Sequence, residues 1–301
     1  MRSDGLGNLA ARRAAADITL PQLLRLRATA HPDALAIREK EHGIWKRFTW
    51  AHYYETARLV AFGLQSLGLK RGDRVAVASE NTPEWYYADL GAEMLGAPVT
   101  GIYPTNPWPE LQYIVRHCGA RVVFTGDQEQ TDKVMDAMAN GDGLPDVRAI
   151  VCVDTKGMRN YRDDRLMSFD ALVERGRAWR KDHPGADEAL DAEIDLAKPD
   201  DVAIMVYTSG TTGPPKGAML SHRNLVYAAD RYAKATDLER PRFETICYLP
   251  LCHVAERCYS MVTQLVIGGI VNFAESIDTV AANVREIAPL SFVGVPRIYE
   301  K

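Results

Sequence analysis

Between Thr49 and Val153 the chain repeats one pattern, a short apolar run followed by a stretch bounded by helix-starting and helix-stopping residues. Thr49 can cap a helix from Trp50 to Leu67 that stops at Gly68. Arg74–Ala78 reads as a short apolar strand, and Thr82-Pro83-Glu84 puts proline at the first position of a helix reaching Leu95, before Gly96. Pro98–Tyr103 is the next strand, then a helix near Pro109–His117, a strand over Arg121–Thr125, a helix over Asp127–Ala139 and a strand over Val147–Val153. Alternation of this kind predicts an α/β fold, with parallel sheets covered by helices. The segments share a rhythm without being internal sequence repeats.

At 301 residues the chain exceeds the usual size of one hydrophobic core, so two helix-covered β-sheet subdomains are expected. Asp154–Pro199 breaks the rhythm, and between Ala186 and Asp201 seven acidic residues stand against one lysine. Such a run reads as a solvated face or loop, with a regulatory patch as the outside option. The expected division is an N-terminal tail over 1–19, a first subdomain over 20–198 with a charged insertion near 154–199, and a second over 199–301. In the second, strands are expected at Val202–Val206, Gly217–Leu220, Glu244–Leu249, Ile270–Phe273 and Ser291–Val295. Helices are expected at Arg223–Ala235, Val254–Ile267 and Ile277–Ile287.

The composition, 47% hydrophobic and 25% charged, is that of an ordinary globular protein. A net charge of −4 provides no basic field for nucleic acid or for an anionic membrane. Five cysteines, odd in number and without a Cys-x-x-Cys pair, argue against a disulfide frame or a zinc knuckle and for reduced thiols in the cytoplasm. Met1–Thr19 lacks the apolar centre of a secretory signal, and the longest greasy stretch, Tyr259–Ala274, is too short and interrupted to span a bilayer.

The segment richest in chemistry is Tyr207-Thr208-Ser209-Gly210-Thr211-Thr212-Gly213-Pro214-Pro215-Lys216-Gly217, directly after the apolar run Val202–Val206. Glycines let backbone N–H groups approach an oxyanion, hydroxyls donate further hydrogen bonds and an ammonium adds a point charge, a composition suited to a triphosphate. The Walker pattern fails at both flanks of Lys216, which lies between Pro215 and Gly217. From composition alone the segment is either a phosphate-binding loop or a plain Ser/Thr/Gly surface turn.

The string Tyr207–His222 resembles the signature loop of the adenylate-forming (AMP-binding) superfamily, which comprises acyl-CoA synthetases, non-ribosomal peptide adenylation domains and luciferases. Tyr248-Leu249-Pro250-Leu251-Cys252-His253-Val254-Ala255-Glu256-Arg257 is similar to another segment of that family. Phe292–Lys301 and Gly101-Ile102-Tyr103-Pro104-Thr105-Asn106 resemble its long-chain fatty acyl-CoA synthetase branch. The likeness runs from about Leu20 to the last residue and is weakest between Asp154 and Pro199.

That resemblance implies the large N-terminal domain of the acyl-CoA synthetase/luciferase fold, incomplete here. It implies ATP and Mg²⁺ in a first step giving acyl-AMP and pyrophosphate, and coenzyme A as the acceptor in a second. Thr208, Ser209, Gly210, Thr211, Thr212, Gly213 and Lys216 would hold the phosphates, with Thr208 nearest the metal. His253 would sit beside the acyl and adenylate site as a catalytic residue, with the following helix walling the acyl tunnel. Glu256, three residues on and so on the same helix face, reads as a helix-start residue favoured by the dipole. Tyr259, Met261, Val262, Leu265, Val266, Val293 and Val295 are candidate channel residues for which plain core is the preferred reading. Cys252 beside His253 carries little weight as a thiol nucleophile pair.

The chain stops at Lys301, short of the family's Mg²⁺-binding glutamate, its ribose-binding aspartate and the small C-terminal domain with its lysine. This piece alone is therefore expected to lack synthetase activity. The alternatives are an acyl-AMP ligase that loads a carrier protein and an inactive nucleotide-binding remnant. The expected ligands are a fatty acid, ATP and CoA, with no nucleic acid. Peripheral membrane contact and a homodimer are left open.

Overall fold

The computed structural model describes residues 9, 11–13, 15–208, 213–238 and 243–294. Two sheets organise them. The larger has seven strands in the order β7-β6-β5-β3-β4-β8-β9. These are β3 (Arg74–Ala78), β4 (Val99–Ile102), β5 (Ala120–Thr125), β6 (Ala149–Cys152), β7 (Leu166–Ser168), β8 (Val202–Thr208) and β9 (Lys216–Ser221). Every pairing is parallel except the edge pair β8–β9. The smaller sheet runs β10-β11-β1-β2, from β1 (Leu35–Glu41), β2 (Ile44–Thr49), β10 (Glu244–Cys247) and β11 (Ile270–Phe273). β11 lies parallel to both β10 and β1.

Residue alternation assigns each face of the large sheet its cover. Val75, Val77, Val122, Phe124 and Ile204 join one core cluster with α1 (Leu20–Ala30), α2 (Trp50–Ser66), α3 (Pro83–Met94) and α6 (Phe169–Asp182). Ala76, Ala78, Val123, Ile150, Met205 and Tyr207 turn to the other face, where they pack with α4 (Trp108–Cys118) and α5 (Gln128–Ala139). Strands buried on both faces must be apolar throughout, which is why these runs stand out in the sequence. Local capping fixes the helix starts. Thr49 Oγ1 accepts from His52 N–H at 3.2 Å and Asp127 Oδ1 from Gln130 N–H at 2.9 Å, whereas Thr82 makes no side-chain cap and leaves the start of α3 to Pro83.

Four expectations differ from the structure. The charged segment is ordered: β7 adds to the large sheet, α6 packs on α2, and α7 (Ala186–Leu196) buries Leu190 and Ile194. Its acids are matched by arginines remote in sequence, Arg25 with Asp195, Arg58 with Asp187 at 2.5 Å and Arg71 with Glu193 at 2.6 Å, so a local charge count misses the pairing. The sheets also do not divide at residue 199, since β8 and β9 complete the large sheet while β10 and β11 join strands from the beginning of the chain. Residues 291–294 form no strand; Ser291 N–H donates to Glu244 O at 3.0 Å as a single link. The N-terminal stretch is docked too: Leu9, Ala16 and Ile18 are buried, and Arg13 Nε pairs with Asp230 at 2.9 Å.

The helical path Val254–Ile267 is divided into α9 (Val254–Arg257), a π segment (Cys258–Val262) and α10 (Thr263–Ile267), and Thr263 Oγ1 donates to Cys258 O at 2.7 Å. A 3₁₀ turn, Ile277–Thr279, leads into α11 (Val280–Ile287). Among the described residues no helix is long and apolar enough to cross a membrane.

The α2–α6 contact depends on two glycines. A Cβ on Gly176 would lie 2.0 Å from Leu59 O, and one on Gly63 would lie 2.5 Å from Leu172 O. Both obstructions are backbone, so relief requires the helices to separate. Gly176→Ala should destabilise the protein by roughly 1–3 kcal/mol, the usual cost of overpacking a core, read as a lower denaturant midpoint at unchanged slope.

Candidate active site

The chain leaves β3 into α3 on one face of the large sheet and leaves β4 into α4 on the other. Neighbouring parallel strands whose connections diverge in this way open a crevice at their carboxyl ends, the usual ligand position in α/β sheets. Three pieces of chain meet there. Asn81, just past β3, donates from Nδ2 to Leu249 O at 2.6 Å and accepts at Oδ1 from Leu251 N–H at 3.0 Å. Gly101, near the end of β4, lies so close to Cys252 that a Cβ would approach its Cα to 2.6 Å. The segment 248–253 is thereby pinned across the ends of β3 and β4. β8 lies on the other side of β4, with Gly101 in register with Val206.

β8 and β9 form the hairpin that carries the Ser/Thr/Gly-rich loop. Thr208 and Lys216 are register partners across its mouth, and both are exposed. Ser209, Gly210, Thr211 and Thr212 lie outside the described residues, as does Val295. Gly213 has φ +84°, a conformation that suits glycine. The hairpin is anchored from α4. Tyr207 Oη lies 2.6 Å from His117 Nδ1, the His117 ring stacks on Tyr113 with centroids 5.4 Å apart, and Tyr113 Oη donates to Pro215 O at 3.0 Å. Gly217 leaves room for the Tyr207 ring, whose Cζ would stand 3.0 Å from an added Cβ. The tyrosine that opens the motif is thus structural, and its anchors Tyr113 and His117 carry no local sequence signal.

His253 is exposed and N-caps α9, its Nδ1 accepting from Ala255 N–H at 3.1 Å. That bond assigns the neutral ring's proton to Nε2. Glu256 parts from it: His253 is solvent-facing, whereas Glu256 is 3% exposed, and burial raises its carboxyl to about 7. A common face inferred from three-residue spacing fails because His253 precedes the first helical turn as its cap. Arg257 is buried against Asp89 of α3, with Nε donating to Oδ2 at 2.8 Å and Nη2 bonded to Oδ1. Burial raises the neighbouring Glu93 carboxyl far above its usual range, with the Asp89 charge adding to the effect. Neither Asp89 nor Glu93 was legible as polar core, because α3 reads as an apolar helix.

Met261, Val262, Leu265 and Val266 are fully buried in the main core cluster, in keeping with plain core. Tyr259 packs on Tyr232 at 4.9 Å and Val293 is half-buried. All five cysteines are free; burial raises Cys252 to about 12, far from a thiolate nucleophile at neutral pH.

Residues 24–301 match the family described as "AMP-binding enzyme", and the chain belongs to it. It is 35% identical over 274 residues to the long-chain-fatty-acid–CoA ligase ACSBG1 of Rattus norvegicus, a match covering 89% of this chain and 36% of that protein. It is 33% identical over 293 residues to ACSBG2 of Xenopus laevis, covering 94% and 38%. The chain therefore spans little more than a third of the length of these relatives. Among solved structures, the inhibitor-bound N-terminal domain of FACL13 from Mycobacterium tuberculosis superposes with a TM-score of 0.77 at 26% identity, covering 94% of this chain and 64% of that one. The fold is the one expected, the large N-terminal domain of acyl-CoA synthetases.

Glu256 makes stability pH-dependent. Its folded value of about 7 stands above the ordinary 4.5. Between those values the unfolded chain releases a proton that the folded chain keeps, so stability is fullest below about pH 4.5 and falls as pH rises to about 7. The span corresponds to roughly 3 kcal/mol. Glu256→Gln should flatten this part of the stability–pH profile measured by denaturant titration; an unchanged slope would refute the assignment.

Proposed function

We propose that the protein carrying this chain activates a long-chain fatty acid, first as acyl-AMP and then as acyl-CoA. The observation that carries the reading is the pairing of Thr208 with Lys216 at the mouth of the β8–β9 hairpin, one strand from the crevice at β3 and β4. An exposed hydroxyl and an exposed ammonium flank the loop where phosphates would lie, and backbone N–H groups of a glycine-rich turn complete such a cradle. The long-chain class is supported by the names of the relatives at 33–35% identity.

In the first step a carboxylate oxygen attacks the α-phosphorus of ATP and pyrophosphate leaves. In the second a thiol sulfur attacks the acyl carbon, AMP leaves and the thiol proton passes to solvent or base. Lys216 and Thr208 hold the departing phosphates, with Ser209, Gly210, Thr211, Thr212 and Gly213 as the remainder of the cradle. His253, with Nδ1 occupied by its own helix, presents Nε2–H as a donor toward the acyl carboxylate. Tyr113 and His117 keep the hairpin in register with the sheet. Among the described residues no cluster of three or more His, Cys, Asp or Glu could hold a metal by itself. The oxygen donor of Thr208 suits Mg²⁺, which characteristically takes its other ligands from nucleotide phosphates and water. Such an ion neutralises charge on the phosphates.

The test is carboxylate-dependent exchange between ATP and pyrophosphate in the full-length protein, followed by thioester formation with CoA. Exchange should require a fatty acid, and Thr208→Ala or Lys216→Ala should each lower kcat/KM for ATP on the order of 10²-fold, as loss of one transition-state donor does. Exchange indifferent to both substitutions would overturn the placement of the phosphates. Transfer to a carrier protein in preference to CoA would overturn the acceptor.

A further inference from the structure

At the opposite edge of the large sheet, where β3, β4 and β8 begin, lies a cavity of about 510 Å³. Pockets for organic ligands occupy about 300–1,000 Å³, so this one far exceeds the space of a single ion. Its charged wall is formed by Arg71, Arg74 and Lys198. Arg71 is partly engaged, donating from Nε to Glu193 at 2.6 Å and from Nη2 to Glu193 O at 2.9 Å. Arg74 and Lys198 are exposed, and their side chains have no ion-pair or hydrogen-bond partner among the described residues. Asp201 faces them, its carboxylate already accepting from Lys198 N–H at 2.8 Å. Glu193 and, at 4.0 Å, Asp201 both pair with Arg71, which leaves Arg74 and Lys198 as the cations without a paired carboxylate among the described residues.

The inner end is lined by His222 and Glu93. His222 is the first residue of the fourteen-residue helix α8 (His222–Ala235) and is 3% exposed. Its Nδ1 accepts from Leu20 N–H at 3.3 Å, so the neutral ring carries its proton on Nε2. Burial lowers His222 to about 4, which keeps the ring neutral at physiological pH. Glu93 also lines the cavity; it is 2% exposed, and its Oε2 lies 3.9 Å from His222 Nδ1. The positive end of the α8 dipole favours an anion here. Apolar surface completes the lining, with Pro98 and Val202 beside Leu196, whose side chain is 63% exposed.

We propose that this cavity is a second ligand site, separate from the crevice at the carboxyl ends of the strands, and that it takes an organic phosphate. The phosphoryl group sits between Arg71, Arg74 and Lys198, and the apolar body of the ligand lies on Leu196 and Pro98. Two unpaired cations beside a third fit a dianion better than a single carboxylate.

Phenyl phosphate is a suitable probe, titrated calorimetrically into the protein at low ionic strength. Saturable binding is expected in the wild type and in Lys216→Ala, weakened at least tenfold in the Arg74→Ala/Lys198→Ala double variant. Inorganic phosphate should bind more weakly than phenyl phosphate, and Leu196→Ser should lower affinity for phenyl phosphate alone. The substituted side chains are exposed, and an unchanged thermal midpoint will show that the fold is intact. The proposal is overturned if the wild type shows no saturable binding, if the double variant binds as the wild type does, or if Lys216→Ala abolishes binding, which would return the ligand to the hairpin loop.

Discussion

A guanidinium and a carboxylate, Arg257 and Asp89, meet where neither reaches solvent, and the two sheets are joined through them. Asp89 belongs to α3, the connection between β3 and β4 of the large sheet; Arg257 ends α9, in the connection between β10 and β11 of the small one. A buried pair of this kind contributes little net stability relative to an apolar replacement, yet removing one partner leaves an uncompensated charge at a cost of about 3–5 kcal/mol. Its consequence is therefore geometric: α9 can dock only where Arg257 reaches Asp89. Tyr86 reinforces the same junction, edge-on to Phe273 of β11 at 4.9 Å and donating to Ser260 Oγ at 2.9 Å. Nearly all of α3 is buried, which follows from its position between two layers.

Docking α9 in turn fixes what precedes it. His253 caps that helix, residues 248–252 are held by Asn81 and by the close approach of Gly101, and Gly101 lies beside β8. A chain of short-range constraints thus connects a buried ion pair to the mouth of the hairpin at Thr208 and Lys216. The crevice side of the sheet joins β3 and β4 to chain more than a hundred residues further on, and the parallel order β3-β4-β8 brings them together.

Much of this was legible in the sequence where periodicity and capping agree. β3, β11 and the helix starting at Trp50 fall where apolar runs, Thr49 and Gly68 place them. β8 and β9 were legible in Val202–Val206 and Gly217–Leu220, the apolar run and the short strand on either side of the Ser/Thr/Gly-rich loop. Elements whose stability comes from distant partners were not. The hairpin β1–β2 turns at His42-Gly43, both with positive φ, but Leu35–Glu41 is three aliphatics followed by four charged residues, without strand alternation, and gains its order by pairing with β11 and β2. α7 looks like an acidic loop until arginines from α1, α2 and the turn before β3 are placed against it. At the candidate site, Thr208, Lys216 and His253 were picked out by resemblance to family motifs, while Asn81, Tyr113 and His117 act through contacts with distant segments that leave no pattern along the chain.

The five free thiols carry a practical consequence. Cys118, Cys152, Cys247 and Cys252 are buried and Cys258 is half-buried, with every one shifted upward by desolvation. Alkylation requires a thiolate that a reagent can reach, so modification of the four buried thiols must await local or global opening. The sulfhydryls are thus intrinsic reporters spread over both sheets, and their labelling rates would chart which layer loosens first without any introduced probe.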